Sequence, residues 1–249
     1  MKATIQQKLR EIEKTHGITI LYSCESGSRA WGFPSPDSDY DVRFIYLRPI
    51  EGYLRVNPVK DYLPFPISDE LDISGWDISK VLQLITKSNT TPFEWLQSPV
   101  IYKEDAIFKN DLWTVCQRYF CPRSNIHHYL GIACGAMKTI QGERLKIKKL
   151  FYVLRPLLAA LWCAERNTIA PMDIYPLMGL LSNDLRKKIL SLINLKATAN
   201  ECYLIEIDLD IKTWIERTFD YCMKASLQLT KRGFEPKIAE EFFRKTILK

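Results

Sequence analysis

The stretch GSRAWG at residues 27–32, followed by SDYDVR at residues 38–43, decides the fold. The β-branched and apolar run ITILYS (18–23) precedes it and predicts a buried strand that leads into the glycine. The stretch ESGSRAWGFPSPDSD (25–39), which spans the first motif and reaches the second, is rich in Gly, Ser and Pro and predicts turns. A second strand is expected at residues 40–47, so the two motifs lie at the ends of neighbouring strands.

Two carboxylates stand at the beginning of the second predicted strand. Asp39 and Asp41 are two residues apart, and the period of two in a strand places both on one face. Carboxylates held side by side repel each other unless a positive charge lies between them. Mg²⁺ supplies such a charge and prefers carboxylate oxygens together with substrate phosphates. The pair is therefore a candidate metal site.

Gly27 and Ser28 are candidate ligands of a phosphate group. Glycine lets backbone N–H groups approach a phosphate closely, and the serine hydroxyl is a further donor. The pattern GxxxxGK[ST] of the P-loop is absent from the sequence. A lone Gly-Ser is usually a turn and a lone Asp-x-Asp usually a cap, but their combination on successive strands predicts a site for a nucleoside triphosphate.

The stretch GSRAWGFPSPDSDYDVRFIY (27–46) resembles the signature of the polymerase-beta-like nucleotidyltransferase superfamily. Within it, the chain resembles the YcgL-type predicted nucleotidyltransferases, a group with members associated with RNA ligases in bacterial repair. The resemblance continues through residues 71–102 and reaches 127–138 and 148–162. It implies transfer of a nucleoside monophosphate to a hydroxyl with loss of pyrophosphate, supported by two Mg²⁺ or Mn²⁺ ions on Asp39 and Asp41.

The superfamily also requires a third carboxylate on a neighbouring strand. Asp72 lies within the alternating segment ELDISGW (70–76) and is the favoured metal ligand. Asp77 is the alternate, although a helix N-cap role would explain it without catalysis. Arg29 and Arg43 are secondary candidates for binding the nucleotide. Arg43 shares the strand face of Asp41, and either a phosphate contact or an ion pair with a carboxylate fits that position.

The rest of the chain predicts an α+β fold in two parts. Residues 1–103 are expected to form the catalytic domain, a mixed sheet flanked by helices, and residues 104–249 an all-helical substrate-binding domain. Amphipathic periodicity predicts the helices of the second part, which we expect at about 105–119, 124–141, 145–166, 182–195, 209–231 and 236–247.

Composition limits where the protein functions. No stretch approaches the ~18 consecutive apolar residues that a transmembrane helix needs, and the N-terminus reads MKATIQQKLREIEKTHG, without the apolar region of a signal peptide. Seven cysteines form no CxxC pair, and their odd number indicates reduced thiols. We expect a cytoplasmic protein with no membrane partner. The sequence does not distinguish a monomer from an oligomer.

The charges are unevenly distributed. Residues 1–110 hold 13 Lys and Arg against 15 Asp and Glu, and residues 111–249 hold 22 against 14. In the basic segment 138–155, three side chains fall on one helical face: Lys148, Tyr152 and Arg155. Such a face suits the triphosphate of a nucleotide or the bases and phosphates of RNA, and an ordinary solvated surface fits it equally well.

Three functional hypotheses remain open. The leading one is a nucleotidyltransferase that uses a nucleoside triphosphate and, as first guess, modifies an RNA end. A non-catalytic module that binds nucleotide or nucleic acid is one rival, although the chain retains all three candidate carboxylates. A toxin-like enzyme that nucleotidylates a protein or a tRNA is the other, and the large helical half argues mildly against it.

Overall fold

The computed structural model describes residues 1–57, 59–67, 70–140, 144–230, 233 and 235–248. The chain divides into two compact units, of which the first contains residues 1–30, 39–119 and 233–249 and the second residues 31–38 and 120–232. The predicted boundary at residues 103/104 divides the chain differently. Among the described residues, no helix is both long and apolar enough to cross a membrane.

The first unit is built on a mixed sheet. Within the described residues this sheet has five strands in the order β3-β4-β2-β1-β5. The pair β2–β4 is parallel and the other pairs are antiparallel. The strands are β1 (Thr19–Ser26), β2 (Tyr40–Leu47), β3 (Tyr62–Pro64), β4 (Leu71–Asp77) and β5 (Ile101–Glu104).

Helices flank this sheet, as the sequence predicts. They are α1 (Lys2–His16), α2 (Gly27–Trp31), α3 (Ile78–Thr86), α4 (Thr90–Trp95) and α5 (Ala106–Tyr119), with a 3-10 turn at Ile50–Gly52. The apolar residues of α1 recur at helical spacing, and Ile5, Leu9 and Ile12 pack in one core with Val42 and Phe44 of β2. The interior side of the sheet is therefore anchored by the N-terminal helix.

A single tight contact fixes the register of the parallel pair. Phe44 of β2 lies opposite Gly75 of β4. A Cβ atom on Gly75 would come within 2.1 Å of the Phe44 ring. Because the ring fills that space, a slip of β4 by one residue would bring a bulkier side chain against it. The same register then determines which residues of β2 and β4 face each other at the strand ends.

Among its described residues, the regular structure of the second unit is helical apart from one ribbon. Its helices are α6 (Pro122–Lys138), α7 (Ile147–Arg166), α8 (Ile174–Leu177), α9 (Asn183–Thr198) and α10 (Leu209–Gln228), with a 3-10 turn at Met178–Leu180. The strands β6 (Arg144–Lys146) and β7 (Leu204–Glu206) form an antiparallel pair. The last helix, α11 (Lys237–Ile247), belongs to the first unit.

The ribbon corrects the prediction of an all-helical second part. The helix predicted at 124–141 spans Pro122–Lys138. The helix predicted at 145–166 begins at Ile147, because Arg144–Lys146 is a strand. Leu145 is buried between the exposed Arg144 and Lys146, which is strand alternation with period two. Residues 141–143 of the basic segment lie outside the described residues. The positions of the other predicted helices are confirmed to within a few residues.

Candidate active site

Three strand ends bring the sequence motifs together at one edge of the sheet. Ser26, the last residue of β1, lies opposite Asp41 of β2. Asp41 in turn lies opposite Asp72 of β4. Because β1 runs antiparallel to β2 while β4 runs parallel to it, the end of β1 meets the beginnings of β2 and β4 here. The two candidate carboxylates are therefore direct neighbours on adjacent strands.

The Gly-Ser turn packs directly on Asp41. Gly27 has a φ of +61°, a left-handed conformation that favours glycine. A Cβ atom on Gly27 would lie 2.0 Å from Oδ2 of Asp41, so the carboxylate occupies the space that any other side chain would need. Ser28, the next residue, is buried in α2. The predicted convergence of the glycine turn and the strand carboxylate is thus present in the structure.

Arg43 lies between the two carboxylates. Its Nη2 atom is 3.0 Å from Oδ1 of Asp41 and 2.7 Å from Oδ2 of Asp72. Its Nη1 atom donates to the carbonyl oxygens of Val42, at 3.1 Å, and of Asp72, at 2.9 Å. The sequence left two roles open for Arg43, a phosphate contact or an ion pair with a carboxylate. In the structure Arg43 forms ion pairs with Asp41 and Asp72.

Arg29 and Asp39 lie where the chain enters β2. Asp39 is exposed and directly precedes the strand. The Nε atom of Arg29 donates to the Asp39 carbonyl at 3.1 Å, and the guanidinium carbon lies 3.9 Å from the centre of the Tyr40 ring. A cation–π contact of this kind contributes about 0.5–1 kcal/mol at an exposed site. Arg29 therefore helps to hold the beginning of β2 in place.

The residues fit a divalent cation only in part. Carboxylate oxygens are the ligands that Mg²⁺ prefers, and Asp39 and Asp41 offer them at the start of one strand. Between Asp41 and Asp72, however, the Arg43 guanidinium fills the gap. Across the residues that the structure describes, no group of three or more His, Cys, Asp or Glu side chains is placed to hold a metal ion. The metal-binding roles of Asp39, Asp41 and Asp72 stay predictions.

Asp77 lies at the other end of β4 and has a different function. It is five residues beyond Asp72, roughly 16 Å away at about 3.3 Å per strand residue. Its carboxylate is 2% exposed, caps α3 by accepting from the Ser79 N–H at 2.9 Å, and pairs with Nε of Arg48 at 3.0 Å. The N-cap interpretation of Asp77 is confirmed, and Asp72 is the carboxylate beside Asp41.

Glu25 belongs to this site although its role was not predicted from the sequence. Its side chain is 1% exposed. Oε1 accepts a hydrogen bond from the Asp41 backbone N–H at 2.6 Å, and Oε2 accepts one from the Tyr102 hydroxyl. Burial raises the pKa of the Glu25 carboxyl above its usual range. The one signal in the sequence is a charged residue at the end of an apolar strand, two positions before Gly27.

The three candidates from the helical half lie on α7 in the second unit. Lys148 forms an ion pair with Glu201, and the Tyr152 ring packs edge-on against Trp31 at 5.6 Å. Arg155 is 3% exposed and donates to backbone carbonyls within the unit. This burial favours a structural role for Arg155. For all three residues, nucleotide binding stays a prediction.

The mixed sheet with a glycine turn over strand carboxylates defines a nucleotidyltransferase-like protein of the polymerase-beta type. The chain belongs to the RNA repair pathway DNA polymerase beta family, RlaP, which matches residues 1–245. It is 42% identical to the uncharacterized protein YcgL of Bacillus subtilis (strain 168) over 233 residues, 92% of this chain and 89% of YcgL.

A solved structure is also similar. It is described as a nucleotidyltransferase-like protein from Exiguobacterium sibiricum 255-15, with 10% sequence identity and a TM-score of 0.33. The similarity covers 90% of this chain and 75% of that chain.

Replacing Gly27 tests whether the Asp41 carboxylate needs the space that a side chain at residue 27 would occupy. Gly27→Ala should destabilise the protein by about 1–2 kcal/mol for the left-handed backbone and by about 1–3 kcal/mol more for the overlap with the Asp41 carboxylate. The unfolding free energy and the melting temperature of the variant measure the effect.

Gly17 provides a matched control. Its φ is +60°, and no heavy atom lies within 4 Å of the position that a Cβ atom would take, so Gly17→Ala should show the backbone cost alone. Equal destabilisation by the two substitutions would mean that Asp41 moves away from Gly27 at no cost, against the contact described above.

Substituting Glu25 tests the buried carboxyl through the pH dependence of stability. The unfolded chain releases this proton near pH ~4.3, whereas the folded protein keeps it to a higher pH because burial raises the pKa. The folded state then binds more protons in that window, so wild-type stability falls as pH rises. Glu25→Gln has no proton to release in this pH range. The unfolding free energy of the variant minus that of wild type should therefore rise between the unfolded-state and the folded-state pKa of Glu25, and stay constant at higher pH.

The measurement is urea unfolding at a series of pH values without added metal. The Tyr102 hydrogen bond lowers the pKa of Glu25, so Tyr102→Phe should extend the window to higher pH. Parallel stability curves for wild type and Glu25→Gln would contradict a raised pKa.

Proposed function

We propose that this protein transfers a nucleoside monophosphate from a nucleoside triphosphate to an acceptor hydroxyl. The observation that carries the proposal is the arrangement at the sheet edge, where Asp41 lies beside Asp72 and under the Gly27 turn. Membership of the polymerase-beta family supports a function of the nucleotidyltransferase type. The metal requirement, the nucleotide and the acceptor are parts of the proposal.

The Gly27 turn and the first carboxylates would bind the nucleotide. The backbone at Gly27 and the hydroxyl of Ser28 are proposed to contact the phosphates, since glycine allows their close approach. Asp39 and Asp41 would hold Mg²⁺ or Mn²⁺ against the same phosphates. A divalent cation held there would offset the negative charge that develops as pyrophosphate leaves.

Asp72 is proposed to serve the acceptor. The acceptor oxygen attacks the α-phosphorus, a new P–O bond forms, and the bond from that phosphorus to the bridging oxygen breaks as pyrophosphate departs. The proton of the acceptor hydroxyl passes to the Asp72 carboxylate. Arg43 holds Asp72 through the 2.7 Å contact to Oδ2, so the carboxylate is already oriented when the acceptor binds.

An RNA end is the proposed acceptor. The family is described as acting in RNA repair, and residues 111–249 carry an excess of 8 positive charges. A basic surface attracts the phosphates of a nucleic acid independently of its base sequence. We propose a cytoplasmic location on the cysteine content alone.

The carboxylates give the first prediction for this function. Asp41→Asn and Asp72→Asn should each lower the rate of label transfer by about 10²-fold or more, since they remove a group from the reacting centre. The assay incubates each α-labelled nucleoside triphosphate with Mg²⁺ or Mn²⁺ and a pool of RNA ends. Asp39→Asn should behave in the same way if Asp39 holds the cation.

Asp77→Asn is the matched control on the same strand. Asparagine still caps a helix, so this variant should lose stability at its Arg48 ion pair but keep the wild-type rate per folded molecule. A loss of transfer in Asp77→Asn with full activity in Asp72→Asn would reverse the assignment. Nucleotide binding by wild type without transfer to any acceptor would favour the non-catalytic binding module.

The basic helix α7 gives a prediction about the acceptor. If α7 contacts RNA, the double variant Lys148→Ala/Lys149→Ala should reduce the slope of log affinity against log salt concentration by about 1.4. Each lost contact to a phosphate of a single strand accounts for about 0.7 of that change. Affinity for RNA is measured across a salt series for wild type and variant. If the helix binds the triphosphate instead, the same substitutions should weaken nucleotide binding without RNA.

A control variant separates local contact from overall charge. Lys212→Ala/Lys224→Ala removes the same charge from exposed positions on α10 and should leave the salt slope unchanged. Equal effects of the two double variants would indicate general electrostatic attraction rather than a path along α7. No effect of either would identify this face as solvated surface.

A further inference from the structure

The Arg43 side chain is held by main-chain carbonyls as well as by the two carboxylates. Its Nη2 atom contacts Asp41 and Asp72, while Nη1 donates to main-chain carbonyls of β2 and of β4. The side chain is 18% exposed. A planar guanidinium with donors in a fixed fork matches such a set of acceptors. Moving it away would break bonds to both strands at once.

The two oxygens of Asp41 have different surroundings. Oδ1 accepts from Arg43 at 3.0 Å, and Oδ2 faces Gly27, where a Cβ atom would lie 2.0 Å away. The Oδ2 side is therefore the side of the glycine turn and of the proposed phosphate position. The Oδ1 side, toward Asp72, already carries a positive charge from the protein itself.

We propose that Arg43 is the resident cation of this site and takes the position that a second metal ion would occupy between Asp41 and Asp72. Asp39 and Asp41 would then hold one divalent cation, together with the phosphates of the nucleotide. Arg43 neutralises the other half of the carboxylate pair and keeps Asp72 oriented. This inference rests on the proposed function and replaces the two ions that the family resemblance implies with one.

Physical reasons favour a fixed arginine at this point. Two carboxylates on adjacent strands at the same register repel each other, and the site must form during folding, before a nucleotide arrives. An arginine two residues beyond Asp41 lies on the same strand face and reaches both carboxylates without a metal ion. A charge fixed in position also needs no rearrangement when the reaction begins.

The experiment counts bound Mn²⁺ directly. Mn²⁺ per chain is measured by equilibrium dialysis and by electron paramagnetic resonance, with and without a non-hydrolysable nucleoside triphosphate analogue for each base. Wild type should bind one ion. Arg43→Gln removes the charge, and a second ion should enter between Asp41 and Asp72, which raises the count by one. The double variant Arg43→Gln/Asp72→Asn should lose that additional ion.

Two further variants make the result specific. Arg43→Lys keeps a positive charge between the carboxylates and should retain the wild-type count. Arg48→Gln alters the ion pair between Arg48, which directly follows β2, and Asp77 at the end of β4, and should also leave the count unchanged. A gain of an ion in Arg48→Gln would show that the gain reflects loosened strands, and would overturn the inference.

The result is separable from the proposed function. Two Mn²⁺ ions in wild type, with Arg43 displaced in a crystal that shows their anomalous peaks, would overturn the inference even if Arg43→Gln fails to fold. An unchanged count in a folded Arg43→Gln would also overturn it. If wild type binds no ion and transfers no label, the proposed function fails, whereas an Asp72-dependent ion gained in Arg43→Gln would still support Arg43 as the resident cation.

Discussion

The parallel register between β2 and β4 is the constraint on which the site depends. Phe44 opposite Gly75 sets that register, because the ring occupies the space of a Cβ atom at residue 75. Three positions earlier on each strand the same register places Asp41 beside Asp72. A shift by one residue would turn the side chains of β4 to the opposite face. A packing contact in the core thus determines the geometry of the carboxylates at the edge.

Asp41 is held from several directions once the register is set. Its backbone N–H donates to Glu25, its Oδ1 accepts from Arg43, and its Oδ2 lies against Gly27. A hydrogen bond that involves a charged group contributes about 1.5–3 kcal/mol, so these contacts together restrict the carboxylate to one orientation. The Asp41 N–H is thus paired with a side-chain acceptor one residue before the end of β1.

The sequence predicted the elements of this site but not all of its contacts. Period two placed Arg43 on the face of Asp41, and the N-cap preference of Asp77 separated it from Asp72. Spacing within one strand does not reveal the neighbour across the sheet, and so Arg43 was left with two roles. The role of Glu25 was not predicted because its hydrogen-bond partner Tyr102 is 77 residues away in the sequence.

Contacts with residues far away in the sequence also determine the structure of the linker between the two motifs. Residues 33–38 lie in the stretch that the sequence predicts to contain turns, and they belong to the second unit. Within that unit, Lys196 is 1% exposed and donates to the Ser35 hydroxyl at 2.7 Å, and the Ser38 hydroxyl donates to Glu201 at 2.9 Å. Such pairs, more than 160 residues apart, leave no local pattern in the sequence.

Lys196 is a buried charge within the second unit. A buried lysine is costly unless it is hydrogen-bonded, and burial lowers the pKa of Lys196. That cost is tolerated where the bond fixes Ser35 in a chain segment that continues directly into Asp39. Within the second unit, Ser35 is therefore held by a residue that lies 161 positions later in the chain.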